Sequence, residues 1–386
     1  MTRTASLEEI SEFVLDGTHA SPVRAEVGIP VLSAQNIRGG ELTYDTERFT
    51  TEEEYRAFAR RLTLQPDDLL LTIVGTIGRA AVMTDVRPLV FQRSVAVVRP
   101  TRGAVDPRFL FHATQTSDFQ EQLRRSTNQS SQAGVYLGRL KKAVVPLPPL
   151  PEQRRIAEIL DRADALRRKR QAALAVVNGI GTAVFVEMFG HPSAPDPQWP
   201  KAKLGEISQT TSGGTPDRAV AGYYGGAIPW VKSGELHNAV VSSTEEHLTD
   251  KGLVESSAKL MPPGTVLLAM YGATAGAVAT LAVAAATNQA ICCIQPGTAL
   301  DRTYLVGALK LLAPSLLRQR VGGAQPNLSQ ELVRNLMIPL PPMELQRTFA
   351  ARIAACSKLL AGHNAALTKL AVLFASLQQR AFRGEL

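Results

Sequence analysis

Two kinds of hydrophobic pattern alternate along this chain. Short aliphatic and β-branched runs, such as Leu69-Leu70-Leu71-Thr72-Ile73-Val74 and Ser94-Val95-Ala96-Val97-Val98, suit buried strands. Ile29-Pro30-Val31-Leu32 and Ile228-Pro229-Trp230-Val231 read as shorter strands, each followed by a polar turn. Thr51–Leu62 and Pro107–Leu123 read as helices. The second kind is a long stripe at helical spacing. Leu345, Phe349, Ile353, Cys356, Leu360, His363, Leu367, Leu370, Phe374, Leu377 and Ala381 step by threes and fours, a heptad-like seam. A matching stripe runs through Ile156, Leu160, Ala163, Arg167, Arg170, Leu174, Val177, Gly181, Val184 and Met188. Helices of about 37 residues, and so roughly 55 Å, are expected there.

The two stripes are copies of one segment. A constant shift of 193 residues carries Pro146-Leu147-Pro148-Pro149 onto Pro339-Leu340-Pro341-Pro342. The same shift takes Gln153-Arg154 to Gln346-Arg347, Ala172-Ala173-Leu174 to Ala365-Ala366-Leu367, and Phe189 to Phe382, without a gap. The strand-rich regions before each segment also repeat, with small gaps. Leu7–Ile10 is echoed by Leu204–Ile207, the turn at Gly17 by Gly213, Pro66–Leu71 by Pro263–Leu268, and Gln92-Arg93-Ser94 by Asn288-Gln289-Ala290. The chain is therefore a tandem duplication of an α+β domain followed by one long helix. The prolines make a stiff lead-in. Pro151 and Pro342 are placed in a first helical turn, with Glu152 and Glu344 near the positive helix end.

Composition narrows the picture little. The 386 residues carry 42 Lys and Arg against 34 Asp and Glu, a net charge of +8 that favours a polyanionic partner. Three cysteines, Cys292, Cys293 and Cys356, form neither a disulfide framework nor a zinc spacing, as expected of a reduced, cytosolic chain. No apolar leader opens it. The uncharged stretch Thr265–Ala286 is long enough to cross a bilayer, but its glycines, threonines and many alanines drive insertion poorly and the matching segment of the first half carries Arg79, Asp85, Arg87 and Arg93, so no span is expected. No P-loop, His-Glu-x-x-His or Asn-Pro-Pro-aromatic motif occurs, the six histidines are scattered, and no catalytic set emerges.

At these residues a family resemblance becomes plain. Pro146-Leu147-Pro148-Pro149-Leu150-Pro151-Glu152-Gln153-Arg154-Arg155-Ile156, its copy at 339–349, and the ending Leu377-Gln378-Gln379-Arg380-Ala381-Phe382-Arg383-Gly384-Glu385-Leu386 resemble specificity subunits of Type I restriction–modification systems. The resemblance implies an α+β fold of two tandem globular target-recognition domains separated by two long antiparallel coiled-coil helices, a pseudo-two-fold repeat. The segments are recognition domain 1 (1–145), a central conserved helix (146–190), recognition domain 2 (191–338) and a distal conserved helix (339–386). It implies a non-catalytic, cytoplasmic subunit that reads a bipartite, asymmetric target in double-stranded DNA, one half per domain. Two methylation subunits dock on the helices and restriction subunits join. The complex acts as adenine methyltransferase and endonuclease, with S-adenosylmethionine, ATP and magnesium on the partners and none here. Two departures stand out. The acid of the second copy, Glu344, lies one place early, and Gly276-Ala277 lacks the basic residue of Gly78-Arg79, so no phosphate contact is expected at that turn.

Base edges are read by amides and arginines on turns and loops. The candidates are Gln35, Asn36, Arg38, Arg79, Gln92, Arg93, Asn128 and Gln129 in the first domain. In the second they are Lys232, Tyr271, Thr274, Asn288, Gln289, Gln325 and Asn327. Candidate partner contacts are Pro148, Pro149, Glu152, Gln153, Arg154, Pro341, Pro342, Gln346 and Arg347. The block Arg167-Arg168-Lys169-Arg170 reads as a solvated face, with a partner or DNA contact as the alternative. A protein-binding scaffold with no DNA readout is the competing function; an enzyme using its Gly-rich loop for a nucleotide is a third.

Overall fold

The computed structural model describes residues 3–128, 133–194, 198–237, 239–318 and 328–386. The chain divides into two compact units, Met1–Gln171 together with Ala365–Leu386, and Ala172–Asn364. Ala172 and Ala365 stand 193 residues apart, so the division falls at the same point of both copies of the repeat. Each unit therefore holds one α+β domain, the first part of the helix that follows it and the last part of the other copy's helix. The long helices are Leu150–Phe189 and Met343–Arg383, 40 and 41 residues, or about 60 Å each.

In the first unit the centre is a four-stranded antiparallel sheet, in the order Ser11–Asp16, Val95–Pro100, Leu69–Thr72, Ala80–Val82. Side chains alternate across a strand, so an unbroken apolar run serves two cores. Leu69, Leu71, Val82, Ala96 and Val98 face a core shared with helices Pro107–Thr114 and Ser117–Ser126 and with Ile156, Ala157 and Leu160 of the first long helix. Phe374, Leu377, Ala381 and Phe382 of the second long helix close the same core. Leu70, Ala81, Val95 and Val97 face the opposite way, against Val31, Leu32, Phe58 and Phe91. That second layer carries a small three-stranded sheet, Phe49–Thr50, Ile29–Leu32, Val90–Phe91. The helix expected over Pro107–Leu123 is broken at Gln115, because the Thr116 hydroxyl accepts from the Phe119 N–H and starts a new helix.

The second unit repeats the plan. Ser208–Ser212, Ile291–Pro296, Val266–Ala269, Val278–Leu281 and Val240–Val241 form a five-stranded sheet, with Glu246–Leu248, Tyr224–Val231 and Ala286–Thr287 as the second layer. The uncharged stretch Thr265–Ala286 is thus mostly buried strand and turn. Cys292 and Cys293 lie on opposite faces of one strand, and burial pushes their thiols up to about 12 and about 11. Every position of the second helical stripe is buried or half-buried, while most residues between are exposed. Each long helix also has an 18-residue window apolar enough, by length and composition alone, to cross a membrane.

One side chain fastens each helix to its domain. Gln153 is 1% exposed. Its Oε1 accepts from the Asp106 N–H at 2.9 Å, and its Nε2 donates to the carbonyls of Ala104 (3.1 Å) and Pro148 (2.9 Å). Gln346 repeats this with the Asp301 N–H (2.8 Å) and the carbonyls of Ala299 (3.2 Å) and Pro341 (2.9 Å). An aromatic pair supports each clamp, Phe109 with Phe382 at 5.3 Å and Tyr304 with Phe189 at 4.9 Å. The first unit adds an ionic tie that the second lacks. Asp161 receives His112 Nε2 at 2.8 Å and Arg108 Nε at 3.0 Å. At the place of His112 the second unit has Gly307, where a side chain would run into Phe185.

Gln153→Ala or Gln346→Ala leaves a buried main-chain N–H without an acceptor, so each should cost about 2–3 kcal/mol in urea unfolding, with loss of exchange protection at the Asp106 or Asp301 amide. The Asp161 carboxyl, though partly desolvated, is held well below the usual carboxylate range by its bonds from His112 and Arg108. Its contribution is fully present above the unfolded carboxylate value, about 4, and is lost as pH falls through the lower folded value. The stability gap between the wild type and Asp161→Asn should therefore persist down to about pH 4 and close only in stronger acid, as followed by thermal melts.

Candidate nucleic-acid interface

A broad cleft of about 1410 Å³ opens on the second layer of the first unit. Its shape follows from one close approach. The turn Asp16–His19 bridges to Gln92-Arg93: the Thr18 N–H donates to the Phe91 carbonyl (2.7 Å) and the Arg93 N–H to the Thr18 carbonyl (3.0 Å). Only glycine fits at position 17, since a Cβ there would lie 2.2 Å from the Phe91 oxygen. Arg61, at the end of helix Glu52–Arg61, donates to the carbonyls of Asp16 and Gly17 and holds the turn from behind. The other wall is the segment after Leu32, where Ser33 caps a short helical turn and Arg38 donates to the Gln35 carbonyl at 2.8 Å.

Four of the first domain's eight candidates meet in this cleft: Gln35, Arg38 and Arg93, which are exposed, and Gln92, which is half-buried. Asn36 also lines it, but its side chain is buried, accepting from the Ser33 N–H (3.0 Å) and donating to the Asp45 carbonyl (2.9 Å). It shapes the wall and is not free to read a base. Asn128 is likewise engaged, its Oδ1 accepting from the Gly134 N–H at 2.9 Å. Arg79 is exposed but outside the cleft. Gln129 lies outside the described residues. Arg24 and Arg48 also line the cleft. Sequence reasoning missed both, because Arg48 reaches the wall only through the pairing of Ile29-Pro30 with Phe49-Thr50.

The second unit builds the same framework. Gly213 makes the matching approach, since a Cβ there would lie 2.2 Å from the Thr287 carbonyl oxygen. The Asn288 N–H bonds the Val231 carbonyl as the Gln92 N–H bonds that of Leu32. Its candidates are differently occupied. Lys232 Nζ pairs with Glu245 (2.8 Å) and Glu246 (3.0 Å). Gln289 is exposed, with its Oε1 accepting from Thr215 and with Tyr271 as a second partner. Partial burial raises the Tyr271 phenol above its ordinary value. The Thr274 hydroxyl is turned inward to the Ser233 carbonyl at 2.9 Å, so it holds its turn and does not face a ligand. Asn288 Oδ1 is buried with no partner among the described residues. Gln325 and Asn327 lie outside the described residues.

On the helices, Pro149, Arg154, Pro342 and Arg347 are exposed. Glu152 pairs with Arg155, and Pro148 and Pro341 lend their carbonyls to the clamps. Gln153 and Gln346 are fully used by their own domains and offer nothing at the surface, which corrects the expectation of a partner contact there. The basic block is not simply a solvated face. Arg167 and Arg168 hold the buried Asp164, Arg167 lies over Phe374, and Arg168 reaches Glu41 at 2.6 Å. Among the described residues no group of three or more His, Cys, Asp or Glu could hold a metal ion.

The sequence matches one family model, described as Type I restriction modification DNA specificity domain, twice, over residues 7–175 and 197–370. It is 28% identical over 166 residues to the EcoBI specificity subunit of Escherichia coli, covering 42% of this chain and 35% of that one. It is 24% identical over 218 residues to the EcoR124I/EcoR124II specificity subunit of Escherichia coli, covering 54% and 53%. The matched segment thus spans about a third and about half of these relatives. A solved chain from work on complex assembly and conformational transition of the type I R-M system superposes with a TM-score of 0.61 at 20% identity, covering 100% of this chain and 98% of that one. That likeness bears on the fold.

Proposed function

The chain belongs to the family of Type I restriction–modification DNA specificity domains, and from that premise we propose that it selects the DNA target of a methylation and restriction complex. It reads a bipartite, asymmetric sequence in double-stranded DNA, one half-site per domain. The observation that carries this reading is the cleft of the first unit, where Gln35, Arg38, Gln92 and Arg93 converge beside Arg24 and Arg48. Amides and guanidinium groups on a concave surface, where four arginines outnumber Asp45 and Glu47, are what base edges and phosphates require. The second unit supports it by repeating the framework on different side chains, as two domains for two sequences should.

Recognition domains 1–145 and 191–338 are separated by the conserved segments 146–190 and 339–386. The two long helices form an antiparallel pair that fixes the gap between half-sites. Within the first unit Arg167 meets Phe374 and Arg155 reaches the Leu386 carbonyl; within the second Phe185 meets Phe349 and Gly181 lies against Ile353. Later residues of one helix thus meet earlier residues of the other. Two methylation subunits dock on the exposed prolines and arginines at the helix starts, and restriction subunits join them. The chain itself is non-catalytic and acts in the cytoplasm, and the cofactors of methylation and cleavage stay on the partners.

Mapping modified bases in cells that express the chain with its methylation subunit should show one split motif. No split motif with all subunits present would contradict the reading. Adding about one turn, roughly four residues, in phase to both long helices should change the number of unread base pairs and leave both half-sites unaltered.

A further inference from the structure

The two recognition surfaces share a framework but not a charge. Hydrogen bonding and strand register fix which residues correspond. The Ser33 N–H is capped by Asn36, and the Lys232 N–H is capped in the same way by Glu235 at 2.7 Å, so Arg38 corresponds to His237. The Val31 N–H bonds the Arg48 carbonyl, and the matching strand residue Trp230 pairs with Glu246, so Arg48 corresponds to Glu246. The bonds from Gln92 and Asn288 put Gln289 at the place of Arg93. Three arginines of the first cleft are therefore a histidine, a glutamate and a glutamine in the second.

Two cations of the second surface, Lys232 and Arg218, are bound to its own carboxylates. Glu246 takes Arg218 through both guanidinium nitrogens, at 2.5 and 3.2 Å, and also Lys232 at 3.0 Å. Lys232 adds Glu245 at 2.8 Å. The Glu235 carboxylate receives the N–H groups of both Lys232 and Glu245, which locks the two segments together. The Arg218 guanidinium is pressed against Tyr224 and Trp230, 4.5 and 5.1 Å from the ring centres. Two cations and two anions cancel. Over whole units the contrast persists, 28 Lys and Arg against 22 Asp and Glu in the first and 14 against 12 in the second.

Resting on the DNA-reading function proposed above, we propose that the two domains divide the work unequally: Arg38, Arg48 and Arg93 of the first unit neutralise DNA phosphates, while in the second Glu245 and Glu246 mask Lys232 and Arg218, so that surface reads its half-site with almost no release of counterions. Each neutralised phosphate adds about 0.9 to the slope of log affinity against log salt, and that slope separates the two roles.

The test measures affinity of the assembled specificity–methylation complex for a duplex carrying its mapped motif, across a range of salt. Arg48→Gln and Arg93→Gln should each flatten the slope by about 0.9 and weaken binding most at low salt. Lys232→Met should leave the slope unchanged. Glu246→Gln deprives Arg218 of its carboxylate and leaves Lys232 to Glu245 alone, and should steepen the slope and tighten binding at low salt. A flattening by Lys232→Met equal to that of Arg93→Gln would overturn the division of labour, as would no gain of slope in Glu246→Gln. Thermal melts identify any variant that loses its fold, and for a misfolded Arg48→Gln the neighbouring Arg93→Gln carries the comparison. If the wild-type complex shows no preference for any duplex, the DNA-reading function fails; if it shows the preference but Lys232→Met and Arg93→Gln flatten the slope equally, only the inference fails.

Discussion

A buried glutamine at the start of each long helix is the constraint on which the rest depends. A helix that follows three prolines within four residues could leave its domain in many directions. Gln153 and Gln346 remove that freedom by taking one main-chain N–H and two carbonyls each, in buried surroundings where an unmatched group is costly. With the first turn fixed, the apolar stripes fall on the domain cores: Ile156 and Leu160 in the first unit, Phe349 in the second. The prolines are the stiff approach to this clamp.

Much of this was legible in the sequence, because it is local or periodic. The unbroken 193-residue register marked the repeat, and the division into two units falls on the same register. Stepping by threes and fours marked the apolar positions of the second helix that are buried or half-buried. The clamp was not legible, since a glutamine between Glu152 and Arg154 looks like surface and its partners at 104 and 106 lie far back in the chain. Arg48 was missed for the same reason, and so was the tie between Asp161, Arg108 and His112. Asn36, Asn128 and Thr274 mislead in the opposite sense: polar residues on turns are often consumed by their own backbone, and these are.

The copies diverge where the repeat does not need them to agree. The clamp, the aromatic pair beneath it and the close glycine turn recur. The ionic tie at Asp161 and the Asp164 network appear only in the first unit, while a ring from the other copy's helix, Phe185, fills the place at Gly307 in the second. The surface follows the same rule, with Arg38, Arg48 and Arg93 in one unit and a histidine, a glutamate and a glutamine at their places in the other. A duplicated frame with unlike surfaces is what two separate half-sites demand, and it leaves specificity free to change without disturbing the attachment of the helices.

The most direct test of this account exchanges residues 1–145 for the corresponding domain of a relative, keeping Phe109 and the partners of Gln153, and then maps the methylated motif. One half-site should change while the other half-site and the gap between them stay as they were. A change in both half-sites, or an unaltered motif from a correctly folded hybrid, would contradict the claim that each domain reads its own half.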